Sequence, residues 1–406
     1  ARHIAGNHPA DEDRQRQNYG VNYQCSQRGG VHKGHTVAQT GGRDKKIVVR
    51  SDLPQAASFR RANEACGDLP MRILFDHPFP FALSHGGFQI QIEQTASALR
   101  AIGVEVEFLP WWDDGQRGDV LHYFGRPTEI YIQLAQQKGM KVVISDLLTE
   151  LGSRSSPVRL VQKSLIGSIK RILPRSFTAR MGWEAFVRAD AIIALTPWEA
   201  QLMHDMFGAA QSKTHVVANG VEEAFLRATP QTRGPWLVCT ATIVERKRVL
   251  ELAQAAVAAQ APTWIIGKPY SAADPYALQF EQLARAKPQW IRYEGAVQDR
   301  ARLAEIYRAA RGFVLLSSME SLSLSALEAA ACECPLLLSD LPWARTVFAA
   351  EATYCAVSEN TERTAASLKS FYAQAPQLRP PPKPKTWVEV AQQLKAIYER
   401  LLITSP

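Results

Sequence analysis

Two glutamates, Glu320 and Glu328, stand eight positions apart in a stretch whose residue types suit a phosphate-bearing ligand. The apolar run at residues 312–316 before them predicts a buried parallel strand. A hydroxyl-rich loop and a helix follow, and the helix must end near Cys334 because the residue before Pro335 is pushed toward extended geometry. The loop and the helix N-terminus therefore lie at the carboxyl end of a strand, where open α/β sheets bind ligands.

A helix N-terminus offers unpaired N–H groups and the positive end of a dipole, and both suit a phosphate. One carboxylate can then face a ligand at the loop while the other reaches hydroxyl groups beside the helix. The alternative is a capping box, Ser325-x-x-Glu328, in which both side chains serve the helix start. That would leave about two helical turns before Pro335, shorter than the usual helix of roughly 8–20 residues. The residues alone leave both interpretations open.

A second candidate lies early in the chain, where Gly86 and Gly87 separate a predicted strand (71–75) from a predicted helix (88–102). Glycine lets backbone N–H groups approach a ligand closely. Paired glycines are also common turn residues, so this signal is weak by itself. The GxGxxG fingerprint is absent, which argues against a nicotinamide-dependent dehydrogenase.

A third candidate is the cationic loop Glu245-Arg246-Lys247-Arg248, which follows the predicted strand at residues 236–240. It lies on the same side of its sheet as the Glu320 loop. A lysine there can act as a mobile point charge on a phosphate. The usual alternative is a charge run that is simply solvated.

These candidates are positioned by strands that alternate with helices in two successive runs, which predicts parallel sheets. The first run has strands at residues 71–75, 104–109, 119–124, 141–145, 191–195 and 215–217, and the second at 236–240, 264–267, 291–295, 313–316 and 336–338. Residues 227–235 look like a linker, and the chain past Asp340 looks less regular. The predicted fold class is α/β, with two Rossmann-like doubly wound parallel-sheet domains facing a cleft.

We assign residues 1–70 to a disordered or non-native extension, because they show almost no apolar periodicity. A basic tail that binds a partner is the alternative. Residues 71–228 and 229–385 form the two predicted domains, and residues 386–406 a final amphipathic helix.

Bulk composition narrows the class of protein. The 406-residue chain is 46% hydrophobic and 21% charged, as in ordinary globular proteins, and its net charge of +8 favours an anionic partner. The six cysteines lack zinc-like spacing, so we expect reduced thiols in a cytoplasmic protein. No apolar run reaches the ~18 residues of a membrane span.

The segment 151–183 is basic and contains no acidic residue. Its apolar residues share one helical face. This pattern is compatible with the binding of residues 154–180 to an anionic membrane surface. The alternative is a helix that packs this face on its own domain. We expect no nucleic-acid partner, because aromatic residues for base stacking are not interleaved with the basic ones.

The residues together resemble the GT-B glycosyltransferases, and more specifically the retaining enzymes of glycosyltransferase family 4. The resemblance covers about residues 71–402. It is carried by Glu320 to Glu328, the run Ala330-Ala331-x-x-x-Pro335, and Asn219-Gly220-Val221, with support from Gly86-Gly87 and Lys247.

The resemblance implies a role for each matching position. Glu328 would bind the ribose hydroxyls of a nucleotide, Glu320 would lie near the donor sugar, and Lys247 would neutralise the diphosphate leaving group. The remaining donor contacts would be the backbone N–H groups of Leu322, Ser323 and Leu324 at the distal phosphate, and Gly86 and Gly87 at the donor phosphates or the acceptor. The acceptor would lie mainly on the N-terminal domain, the final helix would cross back to that domain, and no metal or cofactor would be required.

Two positions depart from the family pattern. Thr242 stands where the family usually has an arginine, and Ser145 where it usually has a histidine. Arg246 or Arg248 is a candidate to replace the missing charge, and His122 or His85 to replace the missing imidazole.

The function expected from the resemblance is a retaining hexosyltransferase that uses a nucleotide-sugar donor. Its acceptor would be a glycan or a lipid-linked molecule in cell-surface polysaccharide synthesis, with the enzyme in the cytoplasm or peripheral on the inner face of the membrane. The alternatives are a non-catalytic nucleotide-sugar-binding protein of the same fold and a nucleotide-sugar epimerase.

Overall fold

The computed structural model describes residues 71–81, 86–110, 112–227 and 231–403. The extension predicted at residues 1–70 and the candidate His85 lie outside the described residues, as does part of the linker predicted at 227–235. The domain boundaries predicted at residues 228 and 385 stay predictions.

The first sheet has six parallel strands in the spatial order β2-β1-β3-β4-β5-β6. Its strands are β1 (Arg72–Asp76), β2 (Glu105–Phe108), β3 (Val120–Phe124), β4 (Lys141–Ser145), β5 (Ala191–Ala194) and β6 (Thr214–Val216). The central strands are apolar and buried on both faces, as parallel sheets covered by helices require.

The second sheet also has six parallel strands, in the order β12-β11-β10-β7-β8-β9. Its strands are β7 (Leu237–Thr240), β8 (Thr263–Ile266), β9 (Ile291–Tyr293), β10 (Gly312–Leu315), β11 (Leu336–Ser339) and β12 (Thr353–Cys355). Two parallel doubly wound sheets confirm the predicted fold class.

Helices cover both sheets. They are α1 (Gly87–Ala101), α2 (Glu129–Gln137), α3 (Thr149–Ser153), α4 (Ser156–Ile172), α5 (Arg175–Thr178), α6 (Ala185–Arg188), α7 (Pro197–Phe207), α8 (Glu223–Leu226), α9 (Val249–Ala259), α10 (Pro275–Ala286), α11 (Arg300–Ala309), α12 (Leu324–Ala331), α13 (Pro342–Phe348), α14 (Thr361–Gln374) and α15 (Trp387–Ile403). Among the described residues, no helix is both long and apolar enough to cross a membrane.

Each sheet reverses its strand order at one point, and these points fix where ligands can bind. The reversal lies between β1 and β3 in the first sheet and between β7 and β10 in the second. A crevice opens where helices from the two adjoining strands leave toward opposite faces, so ligands bind beyond the carboxyl ends of those strands. The glycine turn follows β1, the Lys247 loop follows β7, and the Glu320 loop follows β10.

The last helix, α15, packs on the first sheet rather than the second. Its buried residues Val390, Leu394 and Tyr398 join the core that contains β1 and α1. The chain reaches this position beside Gly220, where a Cβ would lie 2.6 Å from the backbone nitrogen of Trp387. Glycine is therefore needed at this crossing, because any side chain would displace the start of α15.

One expectation about regular structure was wrong, and one about helix packing holds only in part. The chain past Asp340 is regular: it forms α13, β12 and α14, and α14 packs against α9. Helix α4 buries only part of its apolar face on its own domain. Ile166 of this face packs in the core of the first half, whereas Val161 is 68% exposed and Ile172 is 78% exposed. The domain therefore covers one edge of the face and leaves the rest exposed.

Candidate active site

A cleft of about 690 Å³ lies between the two sheets, at the strand-order reversals of both. Every donor-site residue predicted from the sequence lines it. These residues are Gly86, Gly87, Arg246, Lys247, Glu320, Leu322, Ser323, Leu324 and Glu328. Topology explains the convergence, because the carboxyl ends of parallel strands share one sheet edge and the two edges face each other.

Helix α12 begins one residue after Ser323, whose Oγ accepts a hydrogen bond from the backbone N–H of Ala326 at 3.3 Å. Ser323 is thus the N-cap, and the capping box proposed for Ser325 and Glu328 is not formed. The helix is as short as that alternative required, with eight residues. The start of α12 lines the cleft with Leu322, Ser323 and Leu324, and a helix N-terminus is a position that suits an anion.

Lys247 and Glu320 form a buried ion pair on the wall of the cleft. Lys247 ends a 3₁₀ turn (Glu245–Lys247) after β7, and Glu320 lies in the loop after β10. The two loops are tied together because the Ser318 backbone N–H and hydroxyl both donate to the carbonyl of Arg246, at 2.8 and 3.2 Å. The charge run is therefore not simply solvated; its lysine is held beside the carboxylate.

Glu328 points from α12 into a network that the sequence did not predict. Arg300, at the start of α11, donates to the Glu328 carboxylate and to Glu222, the latter at 2.8 Å. The Tyr307 hydroxyl donates to the other Glu328 oxygen at 3.4 Å. Burial raises the pKa of Glu328 above its usual range, and the Arg300 charge opposes that rise.

The glycine turn of the first sheet faces α12 across the cleft. Gly86 adopts φ 131° and ψ −157°, a region available essentially to glycine alone. A Cβ on Gly87 would lie 3.7 Å from Cδ1 of Leu324, so the start of α1 closely approaches the start of α12. Two helix N-termini thus meet at one cavity.

Gly267, at the end of β8, is a second cleft residue that sequence reasoning missed. Its φ is 153°, and a Cβ there would lie 1.9 Å from the carbonyl oxygen of Ala241. No side chain fits at that distance, so glycine keeps the β7 and β8 loops in contact. A glycine directly after an apolar strand was the available signal.

The structure distinguishes between the residues proposed to replace the missing arginine and the missing histidine. Thr242 and Arg246 line the cleft. Arg248 does not, because its guanidinium is turned away toward Glu359, at 2.8 Å, and the carbonyl of Ser358. Arg248 is therefore excluded as the replacement charge.

His122 is likewise not a cleft residue. It is fully buried, with Nε2 2.7 Å from the Ser145 Oγ and Nδ1 2.6 Å from the Tyr398 hydroxyl. Burial lowers its pKa to about 3, so it stays neutral. The expectation that His122 supplies the missing imidazole is wrong: it joins β3 to β4 and α15 instead.

The N-terminal half also closes one side of the cleft through α3. The Ser153 hydroxyl accepts from the Glu320 backbone N–H at 3.2 Å, and the Thr149 and Ser321 hydroxyls lie 2.7 Å apart. These contacts fix the Glu320 loop to the first half of the protein. The four described cysteines, Cys239, Cys332, Cys334 and Cys355, form no disulfide, as predicted, and are buried.

Comparisons with known proteins show what this chain is similar to. Residues 234–374, which carry Lys247, Glu320 and Glu328, match the family model described as glycosyl transferases group 1. A comparison with curated protein sequences gives no significant match.

Solved structures match over most of the chain. Sucrose-phosphate synthase from Thermosynechococcus elongatus has a TM-score of 0.62 and 18% identity, covering 83% of this chain and 100% of that one. The fold is that of the GT-B glycosyltransferases. A glycosyltransferase from Rickettsia africae gives a TM-score of 0.57 at 12% identity, with 83% and 100% covered. HepE from Anabaena, in complex with UDP-glucose, gives 0.53 at 15% identity, with 81% and 100% covered. The cleft described above is thus the space between the two halves of a GT-B fold.

Proposed function

We propose that the protein is a retaining glycosyltransferase that moves a hexose from a nucleotide-sugar donor to a glycan or lipid-linked acceptor. The observation that carries the proposal is the position of Lys247 and Glu320 beside the N-terminus of α12, opposite the Gly86–Gly87 turn. A cation, a helix N-terminus and carboxylates are thereby gathered in one cavity.

The chemistry of transfer fits this arrangement. Breaking a sugar–phosphate bond builds negative charge on the leaving diphosphate, and Lys247 with the α12 N-terminus provides preorganised positive groups for it. Arg246 is the cleft cation in position to share this role in place of the arginine replaced by Thr242. The proposed reaction requires no metal, because these groups carry the phosphate charge.

The two glutamates have different roles in the proposal. Glu320 stabilises positive character that develops on the donor sugar, by analogy with the carboxylates of glycosidases, and we assign it no role as a nucleophile. Glu328 accepts hydrogen bonds from the ribose hydroxyls. Its alignment by Arg300 prepares an acceptor-only group before the ligand arrives.

The donor class is supported by relatives of the fold. HepE was solved with UDP-glucose, and the pneumococcal O-GlcNAc transferase GtfA with UDP and GlcNAc. A thermal-shift screen against UDP-, GDP- and ADP-sugars tests the proposal, because a ligand that binds the native state raises Tm by mass action. No shift with any nucleotide sugar would contradict it.

A non-catalytic nucleotide-sugar-binding protein is the second candidate, favoured by Thr242 and Ser145 at positions where the family usually has an arginine and a histidine. Donor binding without release of nucleotide across a broad acceptor panel would support this candidate. Release of an isomerised sugar nucleotide without acceptor would instead indicate an epimerase. For a transferase, NMR of the product should show the anomeric configuration of the donor.

A further inference from the structure

An exposed apolar stripe runs along α4. Val158, Val161, Leu165 and Ile172 follow one another at spacings of three, four and seven residues, which places them on one face of the helix. Their exposed fractions are 48%, 68%, 57% and 78%. Ile166, at the inner edge of the same apolar face, is only 6% exposed and holds the helix on the protein. A protein surface that only faces water does not ordinarily expose four large apolar side chains in a row along one helix face.

Positive charge accompanies this stripe. The segment 151–183 has seven basic residues and no acidic one. Arg171, on the last turn of α4, and Arg180 shortly after it are exposed. Phe177, between them in sequence, is 59% exposed. Arg154 and Lys170 are paired with Glu150 and Glu184. An apolar face in a segment that also carries exposed arginines complements a bilayer that contains anionic lipid, because lipid chains accept the first and phosphate head groups the second.

A groove of about 360 Å³ runs beneath the same helix. Leu165 and Ile169 of α4 form one wall, and Trp183 lies among the other lining residues. Leu147 and Glu150 line both this groove and the cleft, so the two spaces adjoin. Leu165 also belongs to the exposed stripe. The groove therefore extends from the apolar stripe to the edge of the cleft.

We propose that α4 docks on an anionic bilayer and that the groove beneath it passes the head group of a membrane-held acceptor into the cleft. The role given to the groove rests on the proposed transfer reaction. The acceptor class that fits is an amphipathic molecule, with an apolar chain along the Leu165 wall and a polar head near Arg154 and Glu150.

Docking is tested by co-sedimentation of the full chain with vesicles of phosphatidylcholine alone or mixed with phosphatidylglycerol. The wild type should bind the mixed vesicles at low salt and be released as salt rises. The Val161→Asp/Ile172→Asp variant should lose at least about tenfold in binding, because it places two charges where apolar side chains enter lipid. The matched control Leu278→Asp/Val357→Asp changes two exposed residues elsewhere and should bind as the wild type does. Equal binding by the stripe variant, or none by the wild type, overturns docking.

The groove is tested by tryptophan fluorescence with vesicles whose acyl chains are brominated, since bromine quenches tryptophan only at close range. Trp183→Phe should remove a large share of the quenching, while Trp290→Phe, in the C-terminal half, should remove none. Quenching that is unchanged by Trp183→Phe overturns the groove assignment. Nucleotide-sugar binding is measured separately in the absence of vesicles, and the stripe variant should retain it. Failure of the transfer proposal is therefore distinguishable from failure of docking.

Discussion

Arg300, at the start of α11, donates to the buried carboxylate of Glu328 on the neighbouring helix α12. The same guanidinium holds Glu222 and lies 4.7 Å from the centre of the Phe225 ring. Glu328 is therefore held in one orientation before any ligand binds. In the proposed function, the ability of Glu328 to accept hydrogen bonds from ribose hydroxyls depends on this arginine.

Replacing Arg300 should expose that dependence. Arg300→Gln leaves Glu328 buried without its cation, and we expect a loss of about 2–3 kcal/mol in unfolding free energy. Adding Glu328→Gln should recover part of the loss, which a double-mutant cycle from urea unfolding measures. Arg302→Gln, which breaks an exposed pair with Glu305, should cost less than about 1 kcal/mol. Additive effects of Arg300→Gln and Glu328→Gln would contradict the coupling.

Gly267→Ala should disturb the cleft more than its small volume suggests. A Cβ would lie 1.9 Å from the Ala241 carbonyl oxygen, so the β7 and β8 loops must separate. We expect at least about 2 kcal/mol of destabilisation together with weaker nucleotide-sugar binding. Gly139→Ala is the control, because its φ is also positive but no described atom lies within 4 Å of the added Cβ. A similar cost at both positions would mean that the contact with Ala241 is unimportant.

His122 should make the protein acid-sensitive. Its native pKa is about 3, below the ordinary value of 6.5, so the native state binds fewer protons than the unfolded state. Its contribution to stability is present above pH 6.5 and is lost as the pH falls toward 3. We expect His122→Asn to remove about 3 kcal/mol of the stability difference between about pH 7 and about pH 4. Urea unfolding at both pH values checks this, and an unchanged difference in the variant would contradict it.

Metal removal should leave turnover unchanged. In the proposed reaction, the charge on the diphosphate is met by Lys247 and the α12 N-terminus rather than by a metal ion. Nucleotide release from the donor should therefore be equal before and after dialysis against EDTA. Activity that is lost on chelation and restored by Mg²⁺ or Mn²⁺ would contradict this part of the account.

Much of the fold and part of the site could be predicted from the sequence. Apolar runs alternating with helices indicate parallel sheets, and sheet topology then brings Lys247, Glu320 and the Gly86 turn to facing edges. The periods of strands and helices are local properties of the sequence, so they can be recognised without knowing which residues make tertiary contacts.

Partners could not be predicted in the same way. Arg300 belongs to an ordinary polar helix start, and nothing in its neighbours indicates that it reaches Glu328. The apolar residues of α4 have one pattern whether they face a core or solvent, so the pattern could not decide between them. His122 was a candidate because it is an imidazole near a strand end, but its partner Tyr398 lies 276 positions away.

The central claim is that Lys247 and Glu320 act together on a nucleotide-sugar donor. The most direct measurement is the rate of nucleotide release from the donor identified by thermal shift, for the wild type, Lys247→Ala and Glu320→Gln. We expect each variant to lose about 10²–10³-fold in rate, because each removes a preorganised charge at the reacting bond. Lys287→Ala, an exposed lysine outside the cleft, should match the wild type. Wild-type rates in both folded cleft variants would contradict the account.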